Sequence, residues 1–293
     1  MEYIALMNTK LKPYIVKGII MLKRTKIFSA VIMIFYLSLI TWGAFAGIED
    51  YQGILPSGSR VSDVSINLFF SLQPKGADEN IIAAVIMMAL APVLGSGLFI
   101  YLKNNNMFSA VQQRIGYKSF LKKGVVTTFF GAMSVSLITN LYQIGLINWF
   151  YYPFVFKTIP RKLAQGYRPG YFSPNELFDL ILYIILAAIG WGVFAVLVFS
   201  VGLFVRKNAL YLILGPVLGL ALVLLAVLGN MNSLIWRTFA FSWFFYTLTA
   251  PGQYTFAGQL PPINSLVAFF IAAIIYLVIA ASLIKIWYKR KQG

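Results

Sequence analysis

Six runs of roughly 20 apolar residues, none holding a charged side chain, constrain this chain more than any other feature: 27–48, 81–102, 125–150, 180–205, 209–228 and 266–284. A hydrocarbon layer about 30 Å thick needs about that many residues in helix. It also leaves no water to satisfy the backbone, so a run of this kind must close its hydrogen bonds on itself. Charged residues make up 11% of the chain, where a soluble domain carries about a quarter. The expectation is an all-α integral membrane protein with six transmembrane helices. A seventh stretch, 234–248, is shorter, crowded with aromatics and interrupted by Arg237. It reads as a re-entrant or interfacial segment before the last span.

Six crossings put both termini on one side. The segments on that side hold 17 of the 24 basic residues against a single acid, Glu2, and so carry the whole formal charge of +16. The other side holds Arg60, Lys75, Lys157, Arg161, Lys162, Arg168 and Arg237, matched by the seven remaining acids. Basic loops stay in the cytoplasm, so the N- and C-termini are expected there, in a multi-pass protein of the cell membrane. A seventh crossing would carry the basic C-terminus outside and destroy the asymmetry. Ala44-Phe45-Ala46 has the look of a signal-peptidase site, but the basic lead-in and the apolar run are both long, so the segment is expected to remain as a helix.

Residues 1–26 are expected to form a cytoplasmic amphipathic interfacial helix, and 27–293 the six-span domain. Within the first, Leu11, Tyr14, Ile15, Gly18, Ile19 and Leu22 follow a helical rhythm while Lys10, Lys17 and Arg24 repeat every seven residues. An ordinary basic lead-in reads the same way. The loop 49–80 carries five of the eight acids, with a short helix or interfacial strip at 61–72. In the loop after the second span, an Asn-rich stretch precedes Phe108, Val111 and Ile115, which share one helical face; Gly116 then offers a break. That short helix suits either a soluble partner gripping it or a basic loop with no partner. Before the fourth span, Ser173-Pro174-Asn175-Glu176 reads as a helix start with a Ser cap. Gly215 and Gly219 of the fifth span would allow a close helix contact.

Several chemistries are excluded. The chain has no His and no Cys, which removes His-based triads, thiol catalysis, disulfides and Cys/His metal sites. No phosphate-binding loop is present. Gly95-Ser96-Gly97 superficially suggests an intramembrane serine nucleophile, but the usual base is missing. The spans hold no carboxylate for an ion relay. A chain this apolar is not expected to bind nucleic acid. Asn140 and Gln143, one turn apart in the third span, suit either a translocation path or a bond to another helix.

With these features placed, the layout resembles the permease subunit of a type-2 ATP-binding-cassette (ABC) exporter. The segment Arg114-Ile115-Gly116-Tyr117-Lys118 after a polar helix is similar to the loop of small permeases from Gram-positive bacteria. The basic outer stretch 157–168 departs from the compact turn such permeases would have. The resemblance implies that Gln113, Arg114, Ile115, Gly116, Tyr117 and Lys118 contact a separate ABC-type ATPase subunit, which binds the ATP. The permease is then no enzyme by itself and holds no cofactor, metal or catalytic residue. It also implies pairing with a second permease subunit, identical or homologous, and an apolar or amphipathic substrate such as a peptide, drug or lipid. Asn140, Gln143, Trp236 and Trp243 are the candidate lining of the path. The alternative is a non-transporting membrane scaffold or immunity-type protein of the same topology.

Overall fold

The computed structural model describes residues 27, 30–49, 65–73, 78–105, 108–158, 172–228, 234–253 and 263–292. The expected interfacial helix of 1–26 lies outside the described residues, as does most of the outer stretch 159–171. The described residues form α1 (Ala30–Glu49), α2 (Ser65–Ser71), α3 (Asp78–Asn104), α4 (Phe108–Phe150), α5 (Glu176–Gly202), α6 (Asn208–Leu228), α7 (Leu234–Trp243), α8 (Phe245–Thr249) and α9 (Ser265–Gln292). The chain divides into two compact units, 1–38 and 39–293, and the packing of the bundle is that of the second.

Six of these helices are long and apolar enough to cross a membrane: α1, α3, α4, α5, α6 and α9. This is the arrangement of a multi-pass membrane protein, and each helix matches one apolar run of the sequence. The structure extends several of them beyond their apolar runs, α9 to Gln292 and α3 to Asn104 among them. The apolar part of α4 spans 35 residues from Gly116 to Phe150, about 52 Å at 1.5 Å per residue. Its basic opening turns, with Lys118, Lys122 and Lys123, are therefore helical rather than a lead-in. The fourth span likewise begins at Glu176 and takes in two acids.

The central helix is α5, which packs against α3, α4, α6, α8 and α9. Its apolar window is 72% buried, against 17% for that of α6. A helix apolar all round belongs in the middle of a bundle. Small residues bring its neighbours close. A Cβ at Gly190 would overlap the carbonyl of Leu248 in α8, so α5 and α8 touch backbone to backbone. At the α3–α6 crossing Pro92, lacking an N–H, leaves the Met88 carbonyl without its helical donor. That carbonyl lies against Gly215, while the Met88 side chain lies against Gly219. The small-residue pair of the fifth span is indeed a helix contact. Ser96 is fully buried, its hydroxyl donating to Pro92 O and bonded to the Tyr211 hydroxyl. It serves as a tie between α3 and α6.

The aromatic stretch 234–248 is two short helices, α7 and α8, separated by extended backbone at Phe244 (φ −63°, ψ 137°). The Phe244 ring is buried with Ala240 and Phe241 against Val223 and Tyr246. The turn sits deep in the bundle. The Trp243 carbonyl accepts from the Tyr276 hydroxyl, 2.9 Å away and well along α9. The Phe245 ring meets Trp191 and Phe194, mid-way along α5, at 5.6 and 4.8 Å.

Candidate functional site

Residues 108–115 are helical, the backbone leaves the helix at Gly116 (φ 71°, ψ 157°), and α4 then runs on to Phe150. Positive φ with extended ψ is a region almost confined to glycine. A Cβ at Gly116 would meet nothing within 4 Å, so the backbone turn requires the glycine and packing does not. The break expected from the sequence is therefore present, at the expected residue. Gln113, Arg114 and Ile115 lie on the short helix before it, their side chains outside the described set. Tyr117 and Lys118 lie directly after it. The Lys118 side chain is exposed, while the Tyr117 ring meets the buried Trp287 of α9 edge-on, with centroids 6.1 Å apart.

At this basic end of the bundle, one ammonium group ties two helices together. Lys103, at the end of α3, donates to the carbonyls of Gly202, Leu203 and Val205 at 2.9, 2.9 and 2.6 Å. An ammonium has three N–H bonds, and here each finds an acceptor. The carbonyls of Leu203 and Val205 lie just beyond the C-terminus of α5, and that of Gly202 also accepts from Val205 N (3.1 Å), at a helix end where a cation is favoured by the dipole. Beside it the Asn104 amide donates to Asn208 Oδ1 (2.7 Å) at the start of α6. Arg290 of α9 stands 5.7 Å over the Phe204 ring. The exposed cations Lys118, Lys122, Lys123, Arg206, Lys207, Lys285, Lys289 and Lys291 surround this junction. The described acids belong to the opposite ends of α1, α3 and α5.

At the other end of α5 the charges reverse. Asn175 is the N-cap, its Oδ1 accepting from the backbone N–H of Leu177 and Phe178 at 3.0 and 3.2 Å. The expected Ser173 cap is thus corrected. The helix begins two residues later, and Ser173 Oγ accepts only from Asn175 N (3.2 Å). The reason is Glu176: its Oε2 accepts the Lys157 amide at 2.9 Å instead of reaching back to close a capping box. Asp179 Oδ1 accepts the Phe172 amide at 2.8 Å. Both acids are buried, and both oppose the positive end of the helix dipole.

The four path residues fall into two separate settings. Gln143 Oε1 accepts from Gln73 Nε2 at 3.2 Å, and Gln73 Oε1 accepts from the Tyr183 hydroxyl at 2.8 Å, all within an apolar cluster of α2, α4 and α5. Asn140 donates to Ser136 O (3.0 Å) in its own helix. Both are buried and hydrogen-bonded. Trp236 and Trp243 instead flank Phe239 on α7, with centroid separations of 6.1 and 5.5 Å.

With this geometry in hand, the chain was compared with known proteins. No family model, no curated protein and no solved structure matches it.

Three side chains that organise these regions escaped the sequence reading. Lys103 counted only as a loop cation, although a lone Lys abutting an apolar run marks a helix end where carbonyls gather. Gln73 and Trp287 carried no local signal, because their partners lie 70 and 170 residues away in the chain.

Proposed function

We propose that this chain is the permease subunit of an ATP-driven ABC exporter. The observation that carries the reading is the glycine turn at Gly116, which detaches an eight-residue helix, 108–115, from a straight span at the basic end of the bundle. A helix held in this way offers one compact surface to a soluble subunit. Gln113, Arg114, Ile115, Gly116, Tyr117 and Lys118 are its contact residues with an ABC-type ATPase, which binds and hydrolyses the ATP. The basic end, with both termini, faces the cytoplasm of the cell membrane. The α7–α8 pair is a re-entrant segment near the outer exit. Two such subunits pair, and an apolar or amphipathic peptide, drug or lipid passes between them. The burial of Asn140 and Gln143 within one subunit makes Trp236 and Trp243 the better candidates for contact with cargo.

The test is purification from native membranes in mild detergent, with mass spectrometry of what travels with the protein. The wild type is expected to bring a stoichiometric cassette ATPase, and Arg114→Glu with Lys118→Glu to lose it. An intact wild-type bundle without an ATPase would instead favour the scaffold reading. An ATPase retained in full by the double variant would overturn the coupling assignment while leaving the class of transporter standing.

A further inference from the structure

From the geometry around Arg237 we infer a binding site for the phosphate of a membrane lipid on α7. The inference rests on the six-helix membrane arrangement and is independent of the permease assignment. α7 turns Ala240 and Phe241 into the bundle and leaves Ile235, Trp236 and Phe239 exposed. Arg237 lies between these faces, half-buried. Its Nε is shut off from solvent and has no hydrogen-bond partner among the described residues. An arginine cannot shed its charge to escape such a setting, and a cation inside a membrane region pairs either with an anion or, as Lys103 does, with backbone carbonyls.

Among the described residues, no neighbour of α7 supplies an anion. α7 packs on α6, α8 and α9, and none of the four contains an Asp or Glu; the sequence has no acid at all from Leu180 to its end. The two acids just before that point, Glu176 and Asp179, are engaged with backbone amides at the start of α5. The hydroxyls beside Arg237 donate along their own helix, Thr238 to Leu234 O (2.9 Å) and Ser242 to Thr238 O (2.7 Å), and neither accepts from Arg237 Nε. With no acid on α7 or on the described helices packed against it, the counter-ion is assigned to a molecule outside the chain. Arg237 sits one turn along a helix whose far end, Trp243, reaches deep into the bundle, so it lies near the level where α7 starts. A guanidinium fork matches two phosphate oxygens, and the exposed Trp236 beside it is a side chain that favours the head-group level. A lipid phosphodiester satisfies charge, geometry and depth together.

The probes are phosphatidylglycerol, dioleoylglycerol (the same apolar tails without phosphate) and inorganic phosphate, offered to the delipidated full chain and followed by native mass spectrometry. The wild type is expected to retain phosphatidylglycerol in preference to dioleoylglycerol. Arg237→Gln should hold it about ten- to a hundredfold more weakly, the loss expected for one charged hydrogen-bonded contact. Arg237→Lys should fall between. Equal retention by wild type and Arg237→Gln overturns the site. Displacement of the lipid by millimolar inorganic phosphate overturns the lipid as the source and identifies free phosphate. Should the Gln variant not fold, the wild-type competition decides alone, and equal retention of the two lipids overturns the proposal.

Discussion

The two ends of α5 solve the same problem with opposite charges. At its N-terminus, amides without helical partners meet Asn175, and the nearby acids Glu176 and Asp179 reach across to pin the chain before the helix. At its C-terminus, carbonyls converge on Lys103. The first end is held by its own neighbouring sequence. The second is held by a residue about 100 positions away in the chain. A local cap steadies one helix, whereas a distant one ties two helices together.

Removing Lys103 is the sharpest way to break this comparison. Lys103→Met leaves the carbonyls of Leu203 and Val205 without their donor and is expected to cost about 2–3 kcal/mol in a denaturing-detergent titration. A loss below about 0.5 kcal/mol, the range of neutral surface changes, would show that water already satisfies the turn. Next comes Gly116→Ala, which forces a side chain into a backbone region worth about 1–3 kcal/mol of strain. Because nothing crowds the site, the strain should be relieved by displacement of the short helix. Hydrogen exchange is expected to accelerate at residues 108–117 and to stay unchanged in α5. The smallest effect is at the local cap. Asn175→Ala should cost about 1 kcal/mol and Asn175→Gly only a few tenths, with Ser173→Ala below Asn175→Ala. A reversed order between positions 173 and 175 would restore the Ser cap.

The six long helices were legible because hydrocarbon imposes length and composition together, and the runs from 27–48 to 266–284 meet both. Gly116 was legible because a glycine ending a short amphipathic pattern has few other uses. One local signal misled, and one stayed open. Ser173-Pro174 looked like a cap only while Glu176 was assumed to fold back locally, and its actual partner, Lys157, is 19 residues earlier. Gln143 was open between a path and a helix bond, since its partner sits on α2, across a long loop. The break at Phe244 carries neither Gly nor Pro; the burial of its ring holds it, and burial is a property of the assembled bundle. Local punctuation could be read, and long-range polar pairing could not.

From Tyr117 to Phe150 no backbone break interrupts α4, and its only irregular residue is Gly116 at the end where the short helix leaves. Mechanically, that makes α4 an unbroken rod, with buried side chains from Phe120 to Ile147. A rod about 52 Å long that tilts by about 5° displaces its tip by about 4–5 Å relative to its base, close to one helical turn. Small rotations imposed at the basic end would thus be enlarged by geometry alone before they reach Phe150. No further conformational change within the helix is needed to carry them there.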